Sequence, residues 1–356
     1  MIRTRLKILA GDTLGSLNSA IVTLPQALAF GVATGFGASA GIWGTIILCI
    51  IAGVLGSRIP LLSGITGPAT IVIASIMHAL NADISSVILV IFMAGILQTI
   101  LAITSLPAIV KYVPYPVISG FMNGIGVIII IMQLNPLIGC PVMSNTINSI
   151  GAFVQNLHNI NPDAVLIGGL TLAIVFAVPK RFNKIIPSQA IALVICTLIS
   201  IKLGLNVDKI SEISLSMPVL TLPKAGLHEV ITYFHYAVTL AIVLSAESLL
   251  TVLVADSLVK TKTPSKNMLL GQGLGNMVCA LTGSLPGSAA TMRTVAAINT
   301  GSTTKLTAII NPLILLFLIF HLSNFVAEIP LAVLAGILIK IGYDIIDVKL
   351  LKVLKY

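Results

Sequence analysis

The chain has 356 residues, of which 57% are hydrophobic and 9% charged. Its mean hydropathy is +1.09, a balance that excludes a soluble globular domain and fits an all-α polytopic membrane protein. The formal charge of +9 would suggest nucleic acid only if the basic residues clustered on a soluble face; they lie instead in the connections between apolar runs.

Apolar segments are predicted at about 10–32, 40–57, 66–81, 85–104, 114–136, 163–179, 185–202, 230–258, 267–284, 288–301, 305–322 and 328–345, about 12 membrane segments in all. No small-residue cleavage site closes the basic start, so no removable signal peptide is expected, and Thr4 through Thr13 read as an ordinary cytoplasmic flank. In the first segment Pro25 frees a backbone carbonyl, and Gln26 beside it offers amide donors and an acceptor without charge. A helix–helix hydrogen bond is the bland role for Gln26. The third segment opens on Thr66-Gly67-Pro68-Ala69-Thr70 and is too short to cross a hydrocarbon core of about 30 Å at about 1.5 Å per residue. Polar stretches at 138–162 and 203–229 read as outside loops, the second joining the halves with amphipathic character around Val219 to Val230.

The eighth segment holds Glu247 in its middle, with Thr251 one turn on; the ten other acidic residues are assigned to loops or segment ends. The tenth segment, again too short to span, follows Pro286-Gly287-Ser288-Ala289-Ala290-Thr291-Met292-Arg293-Thr294. The run Gly271-Gln272-Gly273-Leu274-Gly275 reads as close helix packing, the four cysteines as inert small hydrophobes, and the dispersed histidines as packing residues. With a cytoplasmic start, 16 of the 20 Lys and Arg fall inside. Lys202, Lys209 and Lys224 fall outside, and Arg293 alone lies in the membrane.

The two broken segments correspond. Gln26 lies 44 residues before Thr70 and Glu247 lies 44 before Thr291, an offset of 221. Bare N–H groups at a broken helix are tolerated only within protein or beside a watery cavity, and paired broken helices in repeated halves point to a secondary transporter's binding site. The short segments are therefore predicted to be half-helices that enter from opposite sides and meet at the midplane, as an inverted repeat demands. Pro116-Val117-Ile118-Ser119-Gly120 and Pro330-Leu331-Ala332-Val333-Leu334 open the fifth and twelfth segments alike. Seven segments then five predict that the last two of a repeated array are absent.

Half-helix starts combine free N–H groups with a positive dipole end, so Thr66, Thr70, Thr291 and Gln26 are candidate contacts for a small oxyanion. A carboxylate at membrane depth is a functional-site hypothesis by default. Glu247 has three readings: an ionised ligand for Na⁺ with Thr251, a desolvated carrier of one proton per cycle, or a structural carboxyl paired with a neighbouring helix. Arg293 reads as a field or structural group, with Glu247 as one candidate partner. No nucleophile motif, Walker loop or metal cluster is found, so neither an enzyme nor ATP-driven transport is expected.

At these residues the chain resembles the sulfate permease (SulP) family of solute carrier 26-like anion transporters, in Leu24 to Gly31, Thr66 to Pro68, Val117 to Gly126 and Ile329 to Asp347. Pro286 to Thr294, Ala255-Asp256, Gly271 to Gly273 and Asn276-Met277 are similar to the cyanobacterial sodium–bicarbonate symporter branch. The resemblance implies a seven-plus-seven inverted-repeat fold and elevator-like movement of a core that carries the anion between its third and tenth helices. The core would be residues 1–104 and 229–325, and the gate residues 105–228 with an incomplete 326–356. The branch has aspartate at the position of Glu247 and glycine at that of Ala289, while many proton-coupled members carry glutamate; Na⁺ and H⁺ both stay open. By this resemblance the last two gate helices and the cytoplasmic STAS domain usual in the family are expected to be absent.

The expected function is secondary active transport of a small inorganic oxyanion, bicarbonate first, coupled to Na⁺ or H⁺. The anion would meet Gln26, Thr66, Thr70, Ala290 and Thr291, the coupling cation Glu247, Thr251 and the Ala289 carbonyl, with Arg293 supplying field or gating. No cofactor beyond a coupling Na⁺ is expected. The expected location is the inner (plasma) membrane, with the bilayer, a second copy or a separate gate-completing chain as partners and no nucleic acid. The alternatives are a proton-coupled sulfate or dicarboxylate carrier and a non-transporting membrane scaffold.

Overall fold

Long apolar runs punctuated by Gly, Pro and capping residues become helices of very different lengths. The computed structural model describes residues 2–56, 59–104, 115–141, 146–179, 187–210, 218, 220–223 and 226–346. Sequence expectations for Arg58, Lys111, Lys180, Arg181, Lys184, Lys224 and residues 347–356 lie outside the described residues. The helices are α1 (Ile2–Ala33), α2 (Ala38–Gly56), α3 (Gly67–Ala79), α4 (Ile84–Ile103), α5 (Tyr115–Leu137), α6 (Thr146–Asn156), α7 (Pro162–Ala177), α8 (Ser188–Leu203), α9 (Leu227–Val259), α10 (Ser265–Leu281), α11 (Thr291–Asn299), α12 (Thr307–Ala327) and α13 (Leu331–Ile345). Two short strands, β1 (Ser63–Gly64) and β2 (Ser288–Ala289), lie just ahead of α3 and α11. Among the described residues, Leu6–Ala33, α2, α4, α9 and α12 are long and apolar enough to cross a membrane.

Local chemistry sets the ends. Asp83 accepts from the backbone N–H groups of Ser85 and Ser86 and starts α4. Thr66 is the extended N-cap of α3, and Pro68 occupies its first turn, where a missing N–H costs nothing. At 13 and 9 residues, α3 and α11 are the broken elements expected.

Two expectations need correction. The stretch 138–162 contains a helix, α6, so the described residues hold thirteen helices where twelve segments were predicted. Its polar look hid a stripe of exposed Ile147, Ile150 and Val154 opposite the buried Ser149, which Asn135 of α5 holds through the Ser149 carbonyl (2.8 Å) and hydroxyl (3.0 Å). The offset of 221 also fails helix by helix. α1 and α9 start at 2 and 227, α2 and α10 at 38 and 265, α3 and α11 at 67 and 291, and α4 and α12 at 84 and 307. By this register Thr66 matches Ala290, both being N-caps, and Thr70 does not match Thr291.

Packing divides the helices into two groups. α1 to α4 pack with α9 to α12, and α5, α7 and α8 pack with α13. Expected boundaries at 228/229 and 325/326 fall inside α9 and α12, so the loops before 227 and after 327 divide the groups more naturally. Close backbone approach holds each group: a Cβ on Gly273 would lie 2.8 Å from the Gly95 carbonyl, and one on Gly126 2.6 Å from that of Gly342.

Candidate functional site

The site begins with backbone. β1 and β2 pair antiparallel, Ser63 with Ala289 and Gly64 with Ser288, which sets the starts of α3 and α11 side by side. Only glycine fits at 287, where a Cβ would sit 2.0 Å from the Gly64 carbonyl oxygen. From α10, Asn276 clamps that glycine on both sides: its Nδ2 donates to the Gly287 carbonyl (3.0 Å), and the Gly287 N–H donates to its Oδ1 (2.9 Å). The same Nδ2 donates to Gln98 Oε1 (2.7 Å), and Gln272 Nε2 donates to Ser63 Oγ (2.6 Å). These amides are fully buried, where each unpaired group would be costly, so they fix the loop's register.

Onto this pair lies one face of α9. Glu247 Oε2 accepts from Thr66 Oγ1 (2.6 Å) and from Ser288 Oγ (2.5 Å), and those two hydroxyls are 3.1 Å apart. One turn on, Thr251 Oγ1 donates to the Ala289 carbonyl (2.8 Å) and lies 2.6 Å from Thr291 Oγ1. Between them Ser248 Oγ accepts from the Ala289 N–H (3.1 Å). A carboxylate, five hydroxyls and a carbonyl thus converge from both halves, an all-oxygen set suited to a hard cation or a proton.

The residues expected to meet an anion make the following hydrogen bonds within the protein. Thr66 and Thr291 stand in the carboxylate and hydroxyl cluster. Thr70 Oγ1 donates to its own helix at the Thr66 carbonyl (2.8 Å). The Ala290 N–H is spent on the Leu62 carbonyl (2.8 Å). The donors left without intrahelical partners are the N–H groups of Gly67 and Ala69 in α3 and of Thr291, Met292 and Arg293 in α11. Arg293 and Gln26 form a separate pair. The guanidinium, 1% exposed, donates through Nε to Gln26 Oε1 (3.2 Å) and through Nη2 to the Ile65 carbonyl, while Nη1 has no partner among the described residues. The two ion pairs among the described residues are Lys209–Glu328 and Lys340–Asp344, so Arg293 does not pair with Glu247.

Sequence reasoning missed Ser288, Ser248, Gln98, Gln272 and Asn276. Gln272 and Asn276, four apart in the small and apolar stretch that follows Asn267 in α10, were a legible signal of one polar face. It also missed Asp12, read as part of a flank, which is fully buried and accepts from the N–H groups of Thr303 (2.8 Å) and Thr304 (3.1 Å) and from the Thr304 and Thr307 hydroxyls. The small-residue pair Gly11 and Gly15, packed on Gly301 and Ser302, marked that close approach. His78 stands apart, lining a cleft of about 440 Å³ with Thr34 and Asn81.

Comparison with known proteins agrees with this architecture. The model of the sulfate permease family matches residues 9–355. A "Bicarbonate transporter BicA" of Picosynechococcus sp. is 38% identical over 354 residues, covering 96% of this chain and 62% of its own length. One from Synechocystis sp. is 39% identical over 352 residues, covering 97% and 62%. The chain therefore spans a little under two thirds of these relatives. The solved transmembrane domain of a cyanobacterial BicA superposes with a TM-score of 0.92 at 39% identity, covering 97% of this chain and 90% of that one. SLC26A9, at 17% identity and a TM-score of 0.84 over 95% of this chain and 58% of that one, shares the fold.

Proposed function

The chain belongs to the sulfate permease family, and from that premise we propose that it is a secondary active transporter of a small inorganic oxyanion, bicarbonate first, coupled to Na⁺ or H⁺. The observation that carries the reading is the hydroxyl-bridged carboxylate of Glu247, tied at once to the start of α3 through Thr66 and to β2, just ahead of α11, through Ser288. Cation or proton binding at Glu247 would release or reorder those hydroxyls, and so couple to an anion held by the free N–H groups of both helix starts and their dipoles. Thr251, Ala289 and Thr291 complete the cation side; Arg293, held by the Gln26 amide oxygen, supports the backbone at Ile65 and adds positive field. In this reading α1 to α4 with α9 to α12 move as the carrying unit against α5, α7, α8 and α13, in the inner membrane with the N-terminus cytoplasmic. The bicarbonate choice is supported by the names of the relatives more than a third identical.

The test is uptake of labelled bicarbonate and sulfate by the chain in proteoliposomes under imposed Na⁺ or H⁺ gradients. Saturable bicarbonate accumulation driven by one gradient is expected. Preference for sulfate would transfer the reading to the second anion, and saturable uptake of neither would end it.

A further inference from the structure

Where the two groups of helices meet, one amide side chain opens on a small cavity. Gln133 of α5 is 4% exposed, and its side chain makes no hydrogen bond among the described residues. It lines a cavity of about 10 Å³, room for roughly one water. Across that cavity are Phe30 of α1 and Thr70 of α3, and beside it are Met132 of α5 and Leu338 of α13. Its amide nitrogen and oxygen are not among the fully buried side-chain atoms that lack a partner, so they face the space of the cavity, where an apolar residue of similar shape would leave no polar group to satisfy. The Thr70 hydroxyl is already turned to the Thr66 carbonyl, so it offers the amide no donor. Every other side chain named around the cavity is apolar. A polar group without a partner among the described residues, at the seam between two packing units and lining the same cavity as Thr70 of α3, fits a ligand that is absent when the seam is closed.

We propose that Gln133 is a substrate-contact residue: its Nε2–H₂ donates to the oxyanion held at the start of α3, so that the α5 side of the seam supplies one hydrogen bond to the cargo. This rests on the transport reading above and names the group on the opposing helices that recognises the anion. An amide suits the task because it donates to an oxyanion without adding charge that would trap it. A single hydrogen bond to a charged group also sets the expected size of the effect.

The experiment is labelled-bicarbonate uptake by the reconstituted chain, with its Gln133→Leu, Gln133→Asn and Gln133→Glu variants, alongside thermal unfolding of each in detergent. Gln133→Leu should raise KM about tenfold or more, the loss of one charge-assisted hydrogen bond, with maximal rate and unfolding temperature kept or raised. Gln133→Asn should fall between, and Gln133→Glu should abolish uptake by facing the anion with a carboxylate. If Gln133→Leu leaves KM unchanged, or lowers the unfolding temperature while KM holds, the amide is structural and the proposal is overturned. Absence of saturable uptake by the unsubstituted chain would overturn the transport reading instead, so the two failures are distinguishable.

Discussion

Glu247 carries two hydroxyl donors on one oxygen, and that geometry dictates what its substitution does. Glu247→Gln keeps an oxygen that Thr66 and Ser288 can reach but removes the charge and the exchangeable proton. Gradient-driven accumulation should fail while anion binding survives, read as uptake with and without the imposed gradient; unchanged concentrative uptake would relegate the carboxyl to structure. Arg293 raises a different question, charge against geometry. Its fork reaches both Gln26 and the Ile65 carbonyl, a pairing a lysine ammonium cannot reproduce although it keeps the charge. Arg293→Lys should weaken anion affinity by about tenfold, or about 1.4 kcal/mol, measured by isotope competition; wild-type affinity in that variant would mean that field alone matters. These side chains were legible singly, as a lone carboxylate and a lone guanidinium in apolar runs. Their partners were not, because serine is common in membrane helices and nothing in the order of residues says that Ser288 faces Glu247.

At the scale of elements, the β1–β2 pair and its clamp decide where the helix starts lie. Asn276→Ala would leave the N–H and the carbonyl of Gly287 unpaired in a dry interior, a loss on the order of 3 kcal/mol, visible as a lower thermal midpoint with uptake lost. Gly287→Ala should abolish uptake even if the protein inserts, because the added methyl meets the Gly64 carbonyl and parts the strands; full uptake would show that the pair is dispensable. Strands of two residues have no periodicity to read, which is why they escaped sequence reasoning while the broken helices beside them did not. The same limit applies to the offset of 221. It aligned residue types, whereas the fold aligns N-caps, and Thr66 and Ala290 share a position without sharing chemistry. At α4 the cap is chemical: Asp83 is held below the usual carboxylate range first by the Ser86 hydroxyl. Its contribution is therefore present above that range and fades as pH falls through the lowered value.

For the whole molecule, two packing groups meeting along α1, α3, α5, α8 and α13 give the motion something to move against. Cysteines placed at Ile71 and Met132, both beside the seam cavity, and joined by a short bifunctional thiol reagent should stop uptake. A pair joined within one group, at Ile51 of α2 and Gly275 of α10, where a Cβ on Gly275 would lie 3.7 Å from that of Ile51, should leave it intact. Equal activity of both linked proteins would exclude relative movement of the groups as the transport step.

Composition by itself determined a membrane protein of many helices, since an apolar backbone can be satisfied in lipid only within helices or closed barrels. The Gly and Pro breaks, Glu247 and the ordered motifs also determined which segments are broken and which family the chain belongs to. Tertiary structure alone decided that Ala290 spends its N–H on Leu62, that Asn276 clamps Gly287, that Arg293 serves Gln26 and Ile65 and makes no pair with Glu247, and that Asp12 is buried against Thr303 and Thr304. The reason is physical. Hydropathy and helix breaks are properties of a segment and survive in its sequence, whereas the partner of a buried polar group is set by which segments the fold brings within about 3 Å of one another.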